Sequence, residues 1–119
     1  MTDIEETIRI AANPVFITSA SKANLLLADL NAIISDLRLE VAEVELKSEL
    51  YLNELLKNGK GVELQKSNWK TSEIYREWKT KAGHLADVRA IRRSLERHYE
   101  LLYNQEKYGR SYNNMPKAI

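Results

Sequence analysis

Three arginines, Arg89, Arg93 and Arg97, are spaced i, i+4, i+8, so a helix would carry all three on one face. A guanidinium is planar and permanently charged, and it matches phosphate oxygens in geometry, so such a row suits a phosphate backbone. Arg92, Lys79 and Lys107 lie close to the row and extend the candidate surface. The opposite reading comes from Glu96 and Glu100, which sit three or four residues from Arg92, Arg93 and Arg97. Ion pairs at those spacings would use up the charge along a solvated helix.

Aromatic rings are interleaved with this basic region. Trp69, Tyr75, Trp78, Tyr99, Tyr103, Tyr108 and Tyr112 account for seven of the nine in the chain. Exposed rings can stack on unpaired bases. Trp78 and Tyr99 fall at apolar helical spacing and are expected in the core. Tyr108, Arg110, Tyr112 and Lys117 are expected in a mobile tail able to touch nucleic acid. The charge is divided to match: residues 1–57 carry five basic and ten acidic side chains, and residues 58–119 carry thirteen and seven. An acidic half and a basic half can attract each other, or the basic half can attract an anion.

Other chemistries find little support. With no Cys in the chain, disulfides, thiolate metal sites and a cysteine nucleophile are excluded. His84 and His98 are fourteen residues apart on one expected helix, too far to share a metal. Asn58-Gly59-Lys60-Gly61 follows a helix and lacks the order of a phosphate-binding loop, and no nucleophile elbow is present. Paired carboxylates such as Glu43 and Glu45 lie on an exposed helix without a pocket. No enzymatic activity, metal or cofactor is expected. The acidic start of the chain lacks the pattern of a secretory signal, and runs such as Leu25-Leu26-Leu27-Ala28 are too short to span a bilayer. A cytoplasmic protein without membrane contact is the expectation.

The elements that must position these residues read as all-α. Gly and Pro are scarce at four and two. Asp3 to Ala12 predicts a short helix with Ile4, Ile8 and Ala11 on one side, ended by Asn13-Pro14. Val15-Phe16-Ile17 reads as an extended apolar patch, with Phe16 packing on the next helix, and the hydroxyls of Thr18-Ser19-Ala20-Ser21 can cap that helix. From about Lys22 to Lys57 a stripe of Leu26, Leu30, Ile33, Leu37, Val41, Val44, Tyr51 and Leu55 follows helical spacing, broken at Ser48. A second strip of Leu25, Ala28, Ala32, Leu39, Leu46 and Leu50 lies well away from the first. One partner helix cannot cover both, so Leu25, Leu39, Leu46 and Leu50 are expected to join subunits. Asn58 to Gly61 predicts a stop with glycines in left-handed geometry, and Val62 to Lys70 an irregular connector or short helical turn. Thr71 or Ser72 can cap a further helix over about 72–108, with Ile74, Trp78, Leu85, Val88, Ile91, Leu95, Tyr99 and Leu102 on its apolar face. Residues 109–119 read as a disordered tail. One domain built on a long antiparallel helical hairpin follows.

Pro14-Val15-Phe16-Ile17-Thr18-Ser19, then Val44-Glu45-Leu46-Lys47 and Asn58-Gly59-Lys60-Gly61, resemble in type and order the phage recombination mediator family represented by UvsY. The resemblance spans about residues 10 to 105. It implies a small helical protein that assembles into a ring, binds single-stranded DNA, and helps a recombinase displace the single-strand-binding protein. Lys47 matches a family lysine, whereas the neighbouring family arginine falls on Glu49, which moves the expected DNA surface toward the basic third helix. The expectation is thus an oligomeric, non-enzymatic accessory protein of DNA metabolism, with Arg89, Arg93 and Arg97 on phosphates. Its rivals are a phage-encoded protein-binding inhibitor or adaptor and a virion assembly component.

Overall fold

The structure, a computed structural model, describes residues 3–114, and of 109–114 only the backbone. In order they form α1 (Ile4–Ala11), a 3-10 turn (Pro14–Phe16), α2 (Ala20–Asn58), α3 (Val62–Lys70) and α4 (Glu73–Asn114). The described residues contain no strand. The fold is all-α, and the long helices α2 and α4 pack together as an antiparallel hairpin. Two compact units divide the chain, one of Met1–Ile33 with Val88–Ile119 and one of Ile34–Asp87.

In the first unit α1 buries Ala11 and half-buries Thr7 and Ile8, while Ile4, expected on that side, is exposed. Asn13 Nδ2 donates to the Arg9 carbonyl, and Pro14 prevents the helix from continuing. The chain then makes a 3-10 turn instead of an extended run, and Phe16 is 82% exposed, so it does not pack on α2. Ile17 holds the entry instead. Its side chain is buried and its carbonyl accepts a hydrogen bond from His98 Nε2 at 2.7 Å. At the start of α2 the Ser19 hydroxyl accepts from the Lys22 amide, as the capping pattern anticipates, and Glu106 Oε2 accepts from the Ala20 amide at 2.7 Å. A carboxylate at a helix N-terminus also meets the positive end of the helix dipole. Ala20, Ala23, Leu27, Leu30 and Ile33 of α2 and Val88, Leu95 and Leu102 of α4 make the core here. Full burial of a leucine such as Leu30 or Leu95 contributes about 2 kcal/mol.

In the second unit the α2 seam runs through Ile34, Leu37, Val41, Val44, Ser48, Leu52 and Leu55, all buried or half-buried. Ser48 therefore continues the stripe that it was expected to break, and Tyr51 lies outside it, 42% exposed. The reason is a side chain from elsewhere: Trp69 Nε1 donates to Ser48 Oγ at 2.8 Å and to the Ser48 carbonyl at 3.0 Å. Trp69 can do this because Val62–Lys70 takes the helical of the two expected forms, as a regular helix of nine residues. Gly61 enters α3 at φ 82°, where glycine is favoured. Gly59 acts differently, leaving room for the buried Gln65 side chain, which a Cβ there would push aside. Ser72 caps α4, its hydroxyl accepting from the Tyr75 amide and donating to the Trp69 carbonyl. Leu85 is buried, and Ile74, Trp78, Lys81 and Ala82 are half-buried.

The helix begins at Glu73 and runs past the expected end at Tyr108 to Asn114. Gly109 thus lies within a helix, as does the backbone of Arg110 and Tyr112, which the tail reading left unstructured. Lys117 lies outside the described residues.

Candidate nucleic-acid interface

The buried residues of α4 decide where its charges point. In the first unit Val88, Leu95 and Leu102 face the core, which turns Arg89, Arg93 and Arg97 outward, and all three are exposed. None of the three has an ion pair or hydrogen bond among the described residues. Arg92 behaves differently. It is half-buried, its Nε donates to Asn31 Oδ1 of α2 at 2.5 Å, and its guanidinium lies 3.5 Å from Glu96 Oε2. Glu96 is spent on Arg92, so the pairing that would have silenced Arg93 does not form.

A step of about 100° per residue places Glu100, Asn104, Lys107 and Tyr108 in the same sector of α4 as the arginines. Glu100 is exposed and pairs with none of them. Lys107 Nζ lies 5.8 Å from the Tyr103 ring centre and 5.4 Å from that of Tyr108, and both rings are substantially exposed. Tyr99, half-buried, lies tilted against Tyr103 at 6.0 Å. The face therefore offers three unpaired guanidinium groups, a lysine over rings and one interrupting carboxylate.

Lys47 and Lys79 belong to the second unit and are both engaged. Lys47 lies 3.8 Å from Glu43, one helical turn away. Lys79 sits 4.1 Å from the Trp78 ring and 5.4 Å from that of Tyr75. Trp69, Tyr75 and Trp78 pack on one another at 4.8 to 6.2 Å and join α3 to α4, so these rings serve packing, not stacking on bases. His84 is exposed, His98 is taken by Ile17, and the described residues contain no metal-binding group of acidic residues, Cys and His.

The candidate subunit contacts are open surface. In the second unit Leu39, Leu46 and Leu50 are 70%, 57% and 55% exposed, and Ser35, Arg38, Leu39 and Ala42 line a shallow depression beside them. In the first unit Leu25, Ala28 and Ala32 are exposed. No helix among the described residues is long and apolar enough to cross a membrane.

Sequence reasoning missed Asn31, Ser48, Gln65 and Glu106, four polar residues whose partners lie on other elements or across a turn. Comparison with protein-family models, with curated proteins and with solved structures found no match to the chain. The site rests on its own geometry.

Proposed function

We propose that this chain is a non-enzymatic, oligomeric accessory protein of DNA recombination or replication, which binds single-stranded DNA and assists recombinase loading. The observation that carries the DNA part is the exposed row of Arg89, Arg93 and Arg97, left without any acidic partner among the described residues. Eight residues of helix separate its ends, about 12 Å along the axis, enough to follow a backbone past successive phosphates. Single strands are favoured over duplex because Tyr103 and Tyr108 stand exposed beside Lys107, where unpaired bases can stack. Arg92 drops out as a primary contact because Asn31 and Glu96 hold it, and Lys47 and Lys79 drop out because they belong to the other unit. The recombination setting comes from the resemblance to the mediator family, and a recombinase or single-strand-binding protein would be the protein partner.

The test is fluorescence anisotropy of a labelled single-stranded oligonucleotide across a salt series. Three phosphate contacts give a slope of about −2 in log affinity against log salt. Replacing Arg89, Arg93 and Arg97 together by Gln is expected to remove that slope and most of the affinity. Binding that survives the triple change would place the site elsewhere, and wild-type protein that ignores DNA at low salt ends the DNA reading.

The exposed leucines favour subunit contact, through Leu25 in one unit and through Leu39, Leu46 and Leu50 in the other. The same leucines also support a second reading, an inhibitor or adaptor that docks one protein partner. In that case the protein binds no DNA alone, and a pull-down returns one stoichiometric partner, lost when Leu39 and Leu46 are changed to Glu.

A further inference from the structure

On the outer side of α2 in the second unit, residues repeat in sevens. Leu39 and Leu46 hold one heptad position, and Ser35 and Ala42 hold the other. All four are exposed, opposite the seam of Leu37, Val41, Val44 and Ser48 that faces the protein's own core. A depression lined by Ser35, Arg38, Leu39 and Ala42 lies among them, so one leucine and two small residues share it. Large and small side chains thus alternate along one helix face.

We infer that this face pairs with the same face of a second copy of the chain, antiparallel about a two-fold axis. The inference rests on the oligomeric part of the proposed function and specifies its geometry. Parallel pairing would set leucine against leucine and small residue against small residue, leaving a gap in every second layer of a contact that needs close packing. Antiparallel pairing sets Leu39 against the partner's Ala42 and Leu46 against the partner's Ser35, and the two-fold repeats both contacts. Every layer then has one large and one small side chain.

Charge selects the same arrangement. Arg38 and Glu45 border the face on one side, two helical turns apart, and neither has an ion pair among the described residues. Two-fold antiparallel pairing brings Arg38 to the partner's Glu45 and Glu45 to the partner's Arg38, giving two reciprocal ion pairs. On the other border Asp36 and Glu43 repel in this register, but Lys47 lies 3.8 Å from Glu43 and offsets that repulsion.

The test measures assembly mass by light scattering and sedimentation equilibrium on the full chain. Wild-type protein is expected at an even multiple of 13.7 kDa. Leu39→Glu is expected to halve that mass while circular dichroism shows the helices intact, since Leu39 is mostly exposed. Arg38→Glu or Glu45→Arg alone weakens association roughly ten-fold by turning two attractions into repulsions, and the double change in one chain restores it. Only antiparallel pairing predicts that rescue, because parallel pairing never brings positions 38 and 45 together. An odd number of subunits, a mass indifferent to Leu39→Glu, or a double variant no better than the singles overturns this pairing while leaving an oligomer in place. A wild-type monomer at all concentrations removes both the pairing and the oligomeric reading.

Discussion

Arg92 and Arg93 are adjacent and chemically identical, yet only Arg93 is free to meet a ligand. One step of about 100° around α4 turns Arg92 toward Asn31 and Glu96 and Arg93 toward solvent. A guanidinium whose charge a carboxylate already meets gains less from a phosphate, whereas an unpaired one can neutralise a phosphate and release its counterions. Glu100 interrupts the free row with negative charge. Glu100→Gln is therefore expected to raise single-strand affinity about two- to three-fold, the scale of one exposed charge contact. Anisotropy titration at low salt checks it, and an unchanged affinity would mean that the strand does not pass that position. Ser48 shows the same dependence on surroundings. As a hydroxyl in an apolar stripe it reads as an interruption, but with the Trp69 N–H upon it the group is satisfied and packs fully buried.

At the scale of the element, Gly59 before α3 and Gly83 inside α4 have opposite uses. Gly83 lies exposed in the interior of α4, and a Cβ there would meet only open space. Gly83→Ala is expected to raise stability by about 0.5 to 1 kcal/mol, because glycine loses more backbone freedom on folding than alanine. Gly59→Ala should act in the other direction, since the new methyl displaces the buried Gln65 side chain and its hydrogen bond to the Lys60 carbonyl. Thermal denaturation of the two variants in parallel would separate the cases, and a Gly59→Ala protein as stable as wild type would show that Gln65 moves aside at no cost. Helix ends follow from local chemistry where the cap is local: Ser19 and Ser72 do what their positions suggest. The Glu106 carboxylate on the Ala20 amide joins residues 86 positions apart, and no local pattern announces it.

For the molecule as a whole, exposed leucine recurs in both units, as Leu25 in one and as Leu39, Leu46 and Leu50 in the other. If α2 pairs between copies, burial of Leu39 and Leu46 stabilises the folded state by mass action. The melting temperature is then expected to rise with protein concentration, and Leu39→Glu should abolish the dependence. Differential scanning calorimetry over a hundred-fold concentration range would read it, and a constant melting temperature in the wild type would argue against any coupled assembly. Charge adds a second whole-molecule property: an acidic first half and a basic second half in a chain of net charge +1. Its self-association is therefore expected to weaken with salt as well as with loss of the leucines.

Periodicity, glycine placement and capping residues by themselves determined that this is an all-α chain of two long helices, and they located the arginine row and the second apolar strip. Those features repeat at short range, so a helix of known pitch converts them directly into faces. Only the tertiary structure decided which arginine is consumed by Asn31 and Glu96, why Ser48 belongs in the seam, that Phe16 stays outside while Ile17 is held by His98, and that 62–70 is a helix. Asn31 for Arg92, Trp69 for Ser48 and His98 for Ile17 are partners on other elements, where spacing carries no information. The physical reason is the same throughout: a polar group's role is set by whether its partner is water or protein, and packing alone determines that.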